Sequence, residues 1–222
     1  MKQTRHLLIA LALGTMLTSC GASVSTATVT GPAAYVDPYI GSGGHGHVFV
    51  GASVPFGAIQ AGPQNIHKGW DWCSGYHHSD SIVIGFAHTH LSGTGCTDMG
   101  DVQIMPYTGE LRSKRGRQED IGGSCSSYYS HDNESVSPGY YSLKMDNGVR
   151  IEMTASTRTA LHRITYPEAE GRRLLINLEE GNGDGAYDTY LRQTDAHTVE
   201  GYRFSKGWGP HKVFFALTTD KP

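Results

Sequence analysis

Tyr140-Tyr141-Ser142-Leu143-Lys144-Met145, then Asp146-Asn147-Gly148, then Val149-Arg150-Ile151-Glu152-Met153-Thr154, is the stretch that sets the fold class. Two runs of strand-forming residues flank an Asn-Gly pair, and the ease with which both residues adopt positive φ suits the tight turn of a hairpin. In the second run Val149, Ile151 and Met153 alternate with Arg150, Glu152 and Thr154, which predicts one buried and one wet face. Runs of the same character recur at residues 48–51, 81–86, 102–105, 161–166, 174–178, 199–204 and 213–217. No stretch sustains a helical period, and no unit repeats at a fixed interval. Many strands, little helix and no blade motif predict an all-β chain folded as a β-sandwich.

Composition narrows the function classes. The 222 residues include 18 basic and 21 acidic side chains, a net charge of −3, with 38% hydrophobic and 18% charged residues. These values exclude wholesale disorder and a polytopic membrane protein. They leave no basic surplus to neutralise a phosphate backbone, so no nucleic-acid partner is expected. Lys2 and Arg5 precede an apolar run at residues 7–13, shorter than the ~20 residues of a spanning helix. Leu17-Thr18-Ser19-Cys20 resembles a lipobox. Residues 1–19 therefore read as a lipoprotein signal peptide and Cys20 as the acylated residue. Residues 20–34, rich in Ser, Thr, Ala and Gly, read as a flexible tether, and residues 35–222 as the folded domain. Removal of residues 1–19 takes away two basic residues, leaving 16 against 21 acidic ones and a charge of −5. The expected location is that of an exported bacterial lipoprotein, periplasmic or on the cell surface, held to the membrane by lipid alone. In an oxidising compartment Cys73, Cys96 and Cys125 cannot all pair internally, and a Cys73–Cys96 bond stays open.

Chemistry concentrates early. Glycine (29) and histidine (12) are both abundant, and seven histidines fall between residues 45 and 90. Gly41-Ser42-Gly43-Gly44-His45-Gly46-His47 is followed by Gly69-Trp70-Asp71-Trp72-Cys73-Ser74-Gly75-Tyr76-His77-His78, and then by His88-Thr89-His90-Leu91-Ser92-Gly93-Thr94-Gly95. Three chemistries compete for these segments. In an extended segment His45/His47 and His88/His90 would each set two imidazoles on one side, a zinc-hydrolase arrangement completed by Asp98 or Asp101, although no general base accompanies them. A phosphate cradle needs a following helix and lysine, and neither is present. A carbohydrate surface uses tryptophan faces against the C–H faces of a sugar, polar side chains for its hydroxyls, and glycine loops for close backbone approach. Against that reading, Trp70 and Trp72 are also the kind of residue that fills a core.

The strings Tyr35-Val36-Asp37-Pro38-Tyr39-Ile40-Gly41-Ser42-Gly43-Gly44-His45-Gly46-His47 and Gly51-Ala52-Ser53-Val54-Pro55-Phe56-Gly57 closely resemble the start of glycoside hydrolase family 92. The Trp70-Asp71-Trp72-Cys73 and Phe86-Ala87-His88-Thr89-His90 segments extend the likeness, with weaker echoes at Pro138-Gly139-Tyr140-Tyr141, Leu161-His162-Arg163 and Gly207-Trp208. The resemblance implies an exported, calcium-dependent, inverting exo-α-mannosidase acting on mannose-rich glycans. It also implies two domains, a galactose mutarotase-like supersandwich packed on an (α/α)6 toroid, with the mannose pocket at their junction. In that family the toroid carries most of the calcium ligands and the carboxylate pair, which in an inverting enzyme stands ~6.5–9.5 Å apart. No residue of this chain matches that pair, so no catalytic residue is assigned and no metal is expected in this chain alone. The chain is expected to be the N-terminal domain of a longer enzyme, inactive by itself. The implied substrate-binding residues are Gly43, Gly44, His45, Trp70, Trp72 and Cys73, supported by His88, Thr89 and His90. The alternative is a free-standing lectin-like sandwich.

Overall fold

The computed structural model describes residues 30–114 and 121–221. The expected signal peptide, Cys20 and most of the tether lie outside the described residues. The tether's last residues fall in an exposed single 3-10 turn, Gly31–Tyr35.

In chain order the strands are β1 (Ala52–Ser53), β2 (Gln60–Gln64), β3 (Ile82–Val83), β4 (Gly85–Ala87), β5 (Gln103–Thr108), β6 (Ser127–Tyr128) and β7 (Glu134–Ser137). They continue with β8 (Tyr140–Lys144), β9 (Arg150–Ala155), β10 (Ala160–Thr165), β11 (Arg172–Asn177), β12 (Ala186–Gln193), β13 (Thr198–Lys206) and β14 (Pro210–Thr218). Helix is confined to single 3-10 turns among the described residues. A five-stranded sheet, β1-β2-β4-β5-β11, faces a four-stranded sheet, β10-β9-β8-β7; β12-β13-β14 form a third and β3-β6 a two-stranded fourth. The all-β sandwich expected from strand spacing is the observed architecture.

Phe86, Ile104 and Met105 of one sheet and Tyr141, Leu143, Ile151 and Met153 of the other share the central core, all essentially without exposed surface. Each side chain of this size contributes roughly 1.5–3 kcal/mol by leaving water. The β8–β9 hairpin pairs Leu143 with Ile151 and Lys144 with Arg150. Its turn departs from the expectation that both Asn147 and Gly148 take positive φ: only Gly148 does, at +86°. Asn147 instead accepts the Val149 amide through Oδ1 at 3.0 Å, closing a three-residue loop that places one residue in the left-handed region.

Alternation in β9 also fails at one position. Glu152 is 5% exposed although it stands on the outer face. Arg163, opposite it on β10, clamps both carboxylate oxygens at 2.8 and 2.9 Å, and the Tyr140 hydroxyl donates a third bond at 2.7 Å. Burial pushes the Glu152 carboxyl up, but Arg163 and Tyr140 outweigh it and hold the group below the usual range.

The run at residues 81–86 is two strands, not one. Ile84 donates to the Gln64 carbonyl and accepts from Gln103 Nε2 at 2.8 Å, so β3 and β4 enter different sheets. Residues 48–50 are irregular, and the ladder begins only at Ala52. Strand β12 escapes sequence reading because Ala186-Tyr187-Asp188-Thr189-Tyr190-Leu191-Arg192-Gln193 is largely polar and mostly exposed.

Candidate functional site

Three loops meet at the candidate site. Residues 41–47 close on themselves: Val48 N donates to Gly41 O at 3.1 Å and Gly46 N to Gly43 O at 3.2 Å. A Cβ at Gly46 would stand 2.1 Å from Gly41 O, so only glycine permits this closure. The second loop is the 3-10 turn Trp70–Trp72, and the third, residues 91–97, is tied to the first by Gly93 N donating to His47 O at 2.7 Å.

Asp71 joins the first two. Its Oδ1 is 2.6 Å from His45 Nδ1 and 3.5 Å from His47 Nε2. The His45 hydrogen bond is the main influence holding the Asp71 carboxyl below its usual range. Trp70 leans its ring on the edge of His47, with centroids 4.1 Å apart, and on His45 at 5.6 Å. Its Nε1 donates to Gly95 O at 2.8 Å, which fixes the indole while leaving the side chain 58% exposed. Gly43, Gly44 and His45 are exposed beside it. The result is a fixed, upright aromatic plate rimmed by bare backbone and an imidazole.

Trp72 differs from Trp70. Its Nε1 donates to Asp80 Oδ2 at 2.9 Å, and its ring stacks on His77 at 4.3 Å. His77 Nε2 reaches Gly44 O at 3.2 Å, so Trp72 braces the glycine loop from behind. Cys73 is buried; its thiol donates to Thr94 O at 2.9 Å, and burial raises its pKa. A thiol held protonated in this way is no nucleophile. Cys73, Cys96 and Cys125 are all unbridged.

The His-Thr-His segment turns its side chains away from the plate. His88 Nδ1 donates to Val102 O at 2.6 Å, which makes its Nε2 the acceptor for His162 Nε2 at 2.9 Å. His90 Nδ1 donates to Gln60 O at 2.8 Å, and the ring stacks on Phe49. Burial lowers all three imidazoles, His90 to about 4 and His162 to about 3. Thr89 Oγ1 donates to Asp101 Oδ2 at 2.6 Å. Of the competing readings, the zinc arrangement is not the one this geometry assembles: His45 and His47 meet Asp71, whereas His88 and His90 bind backbone carbonyls elsewhere.

Asp101 is the node beneath these loops. It is fully buried and takes Arg203 Nη1 on Oδ1 and His211 Nε2 at 3.0 Å on Oδ2. Arg203 also reaches Asp184 Oδ2 at 2.9 Å and Leu178 O at 3.0 Å. Sequence reading passed over Arg203 and Asp71. Arg203 had one signal: it occupies an inward position of β13, in phase with Val199 and Gly201. Two side-chain groups among the described residues bring three ligand atoms within 4.8 Å of one another: Asp98, Asp184 and His211, and His78, His131 and Glu134.

Residues 35–222 match the model of the glycosyl hydrolase family 92 N-terminal domain. An uncharacterised secreted glycosidase of Arthroderma benhamiae is 32% identical over 158 residues, 67% of this chain and 18% of that protein. The structure is similar to the family GH92 α-mannosidase BT3965 of Bacteroides thetaiotaomicron, solved with mannoimidazole: TM-score 0.82, 39% identity, 85% of this chain and 25% of that one. The inverting mannosidase BT2199 of the same organism aligns with TM-score 0.66 and 26% identity, over 83% and 24% of the two chains. The chain thus spans about a quarter of the length of these solved relatives.

Proposed function

This chain belongs to glycoside hydrolase family 92, whose N-terminal domain it matches, and from that premise we propose that it is the sugar-facing sandwich of an exported exo-α-mannosidase acting on mannose-rich glycans. The observation that carries the reading is the fixed, half-exposed Trp70 beside the Gly43-Gly44-His45 backbone. An indole face can stack on the C–H face of a pyranose, the exposed Gly43 and Gly44 backbone can bond its hydroxyls, and His45, oriented by Asp71, offers its remaining ring nitrogen. These groups bind and orient the sugar. They supply no acid–base pair, and hydrolysis is assigned to a C-terminal toroid carrying two carboxylates and inverting the anomeric carbon.

Calcium, which the family implies, does not fit the residues described here. It takes six to eight oxygen ligands. Asp98, Asp184 and His211 offer an imidazole among two carboxylates, and Arg203 already neutralises Asp184. Calcium in the whole enzyme is accordingly assigned to the toroid. Export through residues 1–19 and lipid attachment at Cys20 belong to the same reading.

The test is mannose release from α-linked mannobiosides by the full-length enzyme, followed by proton NMR with and without chelator. Release of the β-anomer first, abolished by chelation, is the expected result. Release of the α-anomer, or turnover by the 222-residue chain alone, refutes it.

A further inference from the structure

Trp208 is an aromatic side chain that the proposed function leaves unused. It stands at the tip of the β13–β14 hairpin, where Lys206 pairs with Pro210 and Gly207-Trp208-Gly209 makes the turn. It is 80% exposed, and among the described residues it stacks on no other ring and bonds nothing through Nε1. A single exposed apolar side chain is ordinary, but the turn beneath this one is clamped. The buried Asp98 accepts Gly209 N on Oδ2 at 2.9 Å and Met99 N on Oδ1 at 2.9 Å. A Cβ at Gly207 would stand 1.8 Å from Asp98 Oδ1, so only glycine lets the carboxylate approach. His211 Nδ1 donates to Gly209 O at 2.9 Å and holds the other side of the turn.

We propose that Trp208 is a second sugar-stacking plate, which holds the residue of an α-linked oligomannoside beyond the one on Trp70. The inference rests on the reading of Trp70 as the first plate. One short segment joins the two. Trp70 Nε1 donates to Gly95 O at 2.8 Å, and its indole lies so close that a Cβ at Gly95 would meet Nε1 at 3.0 Å. Asp98, which clamps the Trp208 turn, follows three residues later. Three residues of fully extended chain span at most about 11 Å, so the anchors of both indoles share one loop. That loop is itself tied to the glycine loop by Gly93 N on His47 O at 2.7 Å. The composition repeats too: in each case an indole has glycines beside it.

The shared frame has a consequence for selectivity. Contacts fixed before binding cost little ordering when the ligand arrives. A single mannose engages only the first plate, whereas a longer glycan engages both. Trp208 therefore favours oligomannosides over the free sugar without taking part in the chemistry.

The chain holds three tryptophans, so the nitrogen-15-labelled 222-residue protein gives three indole N–H signals, assigned with Trp70→Ala and Trp208→Ala. The Trp72 signal, bonded to Asp80, serves as the internal reference. The protein is titrated with methyl α-mannoside and with an α-linked mannotriose. Both sugars are expected to shift the Trp70 signal, and only the trisaccharide the Trp208 signal. Trp208→Ala is expected to weaken mannotriose binding about tenfold, the loss of one stacking face, and to leave methyl mannoside binding and the melting temperature unchanged. Trp208→Phe is expected to keep most of the affinity. If neither sugar moves the Trp70 signal, the sugar-facing reading falls and this inference with it. If Trp70 responds but mannotriose leaves the Trp208 signal in place, or binds Trp208→Ala as tightly as the unmodified chain, the second plate alone is overturned. An equal response of Trp208 to the monosaccharide overturns it as well.

Discussion

Arg203 and Asp101 are 102 residues apart in sequence, yet Arg203 Nη1 bonds Asp101 Oδ1 with neither side chain exposed. The pair ties the third sheet to the floor of the candidate site, because Asp101 also holds Thr89 and His211. Removing the guanidinium strands two buried carboxylates, Asp101 and Asp184, which costs about 3–5 kcal/mol when one partner of a buried pair is lost. Arg203→Met is therefore expected to lower the urea midpoint sharply. Arg203→Lys recovers only part of the loss, since Arg203 Nε also donates to Leu178 O. A midpoint unchanged in Arg203→Met would refute the role.

The two tryptophans should separate cleanly. Trp70 is half-exposed and Trp72 is engaged with Asp80 and His77. Trp70→Ala is expected to weaken binding of a methyl α-mannoside about tenfold, equivalent to about 1.4 kcal/mol, with the melting temperature nearly unchanged. Trp72→Ala is expected to lower the melting temperature itself. NMR titration and calorimetric melting read the two effects; equal behaviour of the two variants contradicts the assignment.

Glycine substitutions test the loop closure. Gly46→Ala forces a Cβ into Gly41 O, whereas Gly43→Ala meets only the His78 Cβ at an ordinary 3.7 Å. The first is expected to open the loop and abolish mannoside affinity. The second keeps the fold and blocks sugar approach only partially. Amide exchange at Val48, whose N–H closes the loop, reports the difference directly.

The buried histidines set an acid limit on stability. His88, His90 and His162 have pKa values depressed by burial, His90 to about 4 and His162 to about 3. Above the unfolded value, ~6.5, both states are neutral and these groups contribute no slope. Below it the unfolded chain binds protons that the folded chain refuses, so stability falls as pH drops from ~6.5 toward 4. His90 alone accounts for on the order of 3 kcal/mol across that window. His211, raised by its Gly209 and Asp101 contacts despite burial, acts in the opposite sense: its stabilisation is full below ~6.5 and is lost as pH rises through its folded value. Urea melts at pH 7 and pH 4.5 are expected to show the larger acid loss, and His90→Phe is expected to reduce it.

Much of this was legible in the residues. The β8–β9 hairpin was readable because its apolar alternation and turn chemistry are local, and β12 was not, because a polar strand has no such pattern. The strings around the glycine loop and Trp70 marked the sugar-facing region without revealing that Asp71 clamps it. Glu152 shows the complementary failure: a charge predicted to be wet is buried, because its satisfaction comes from Arg163 on the next strand.

By itself the sequence determined the all-β class, the hairpin, the family, and the segment that carries Gly43, Gly44, His45 and Trp70, all properties of short-range pattern. Tertiary structure alone decided that Trp70 is exposed while Trp72 is a brace, that the two His-x-His pairs diverge, and that Arg203 meets Asp101. The reason is physical. Periodicity and turn chemistry act over a few residues, whereas burial and charge pairing depend on which distant strand the packed core brings alongside.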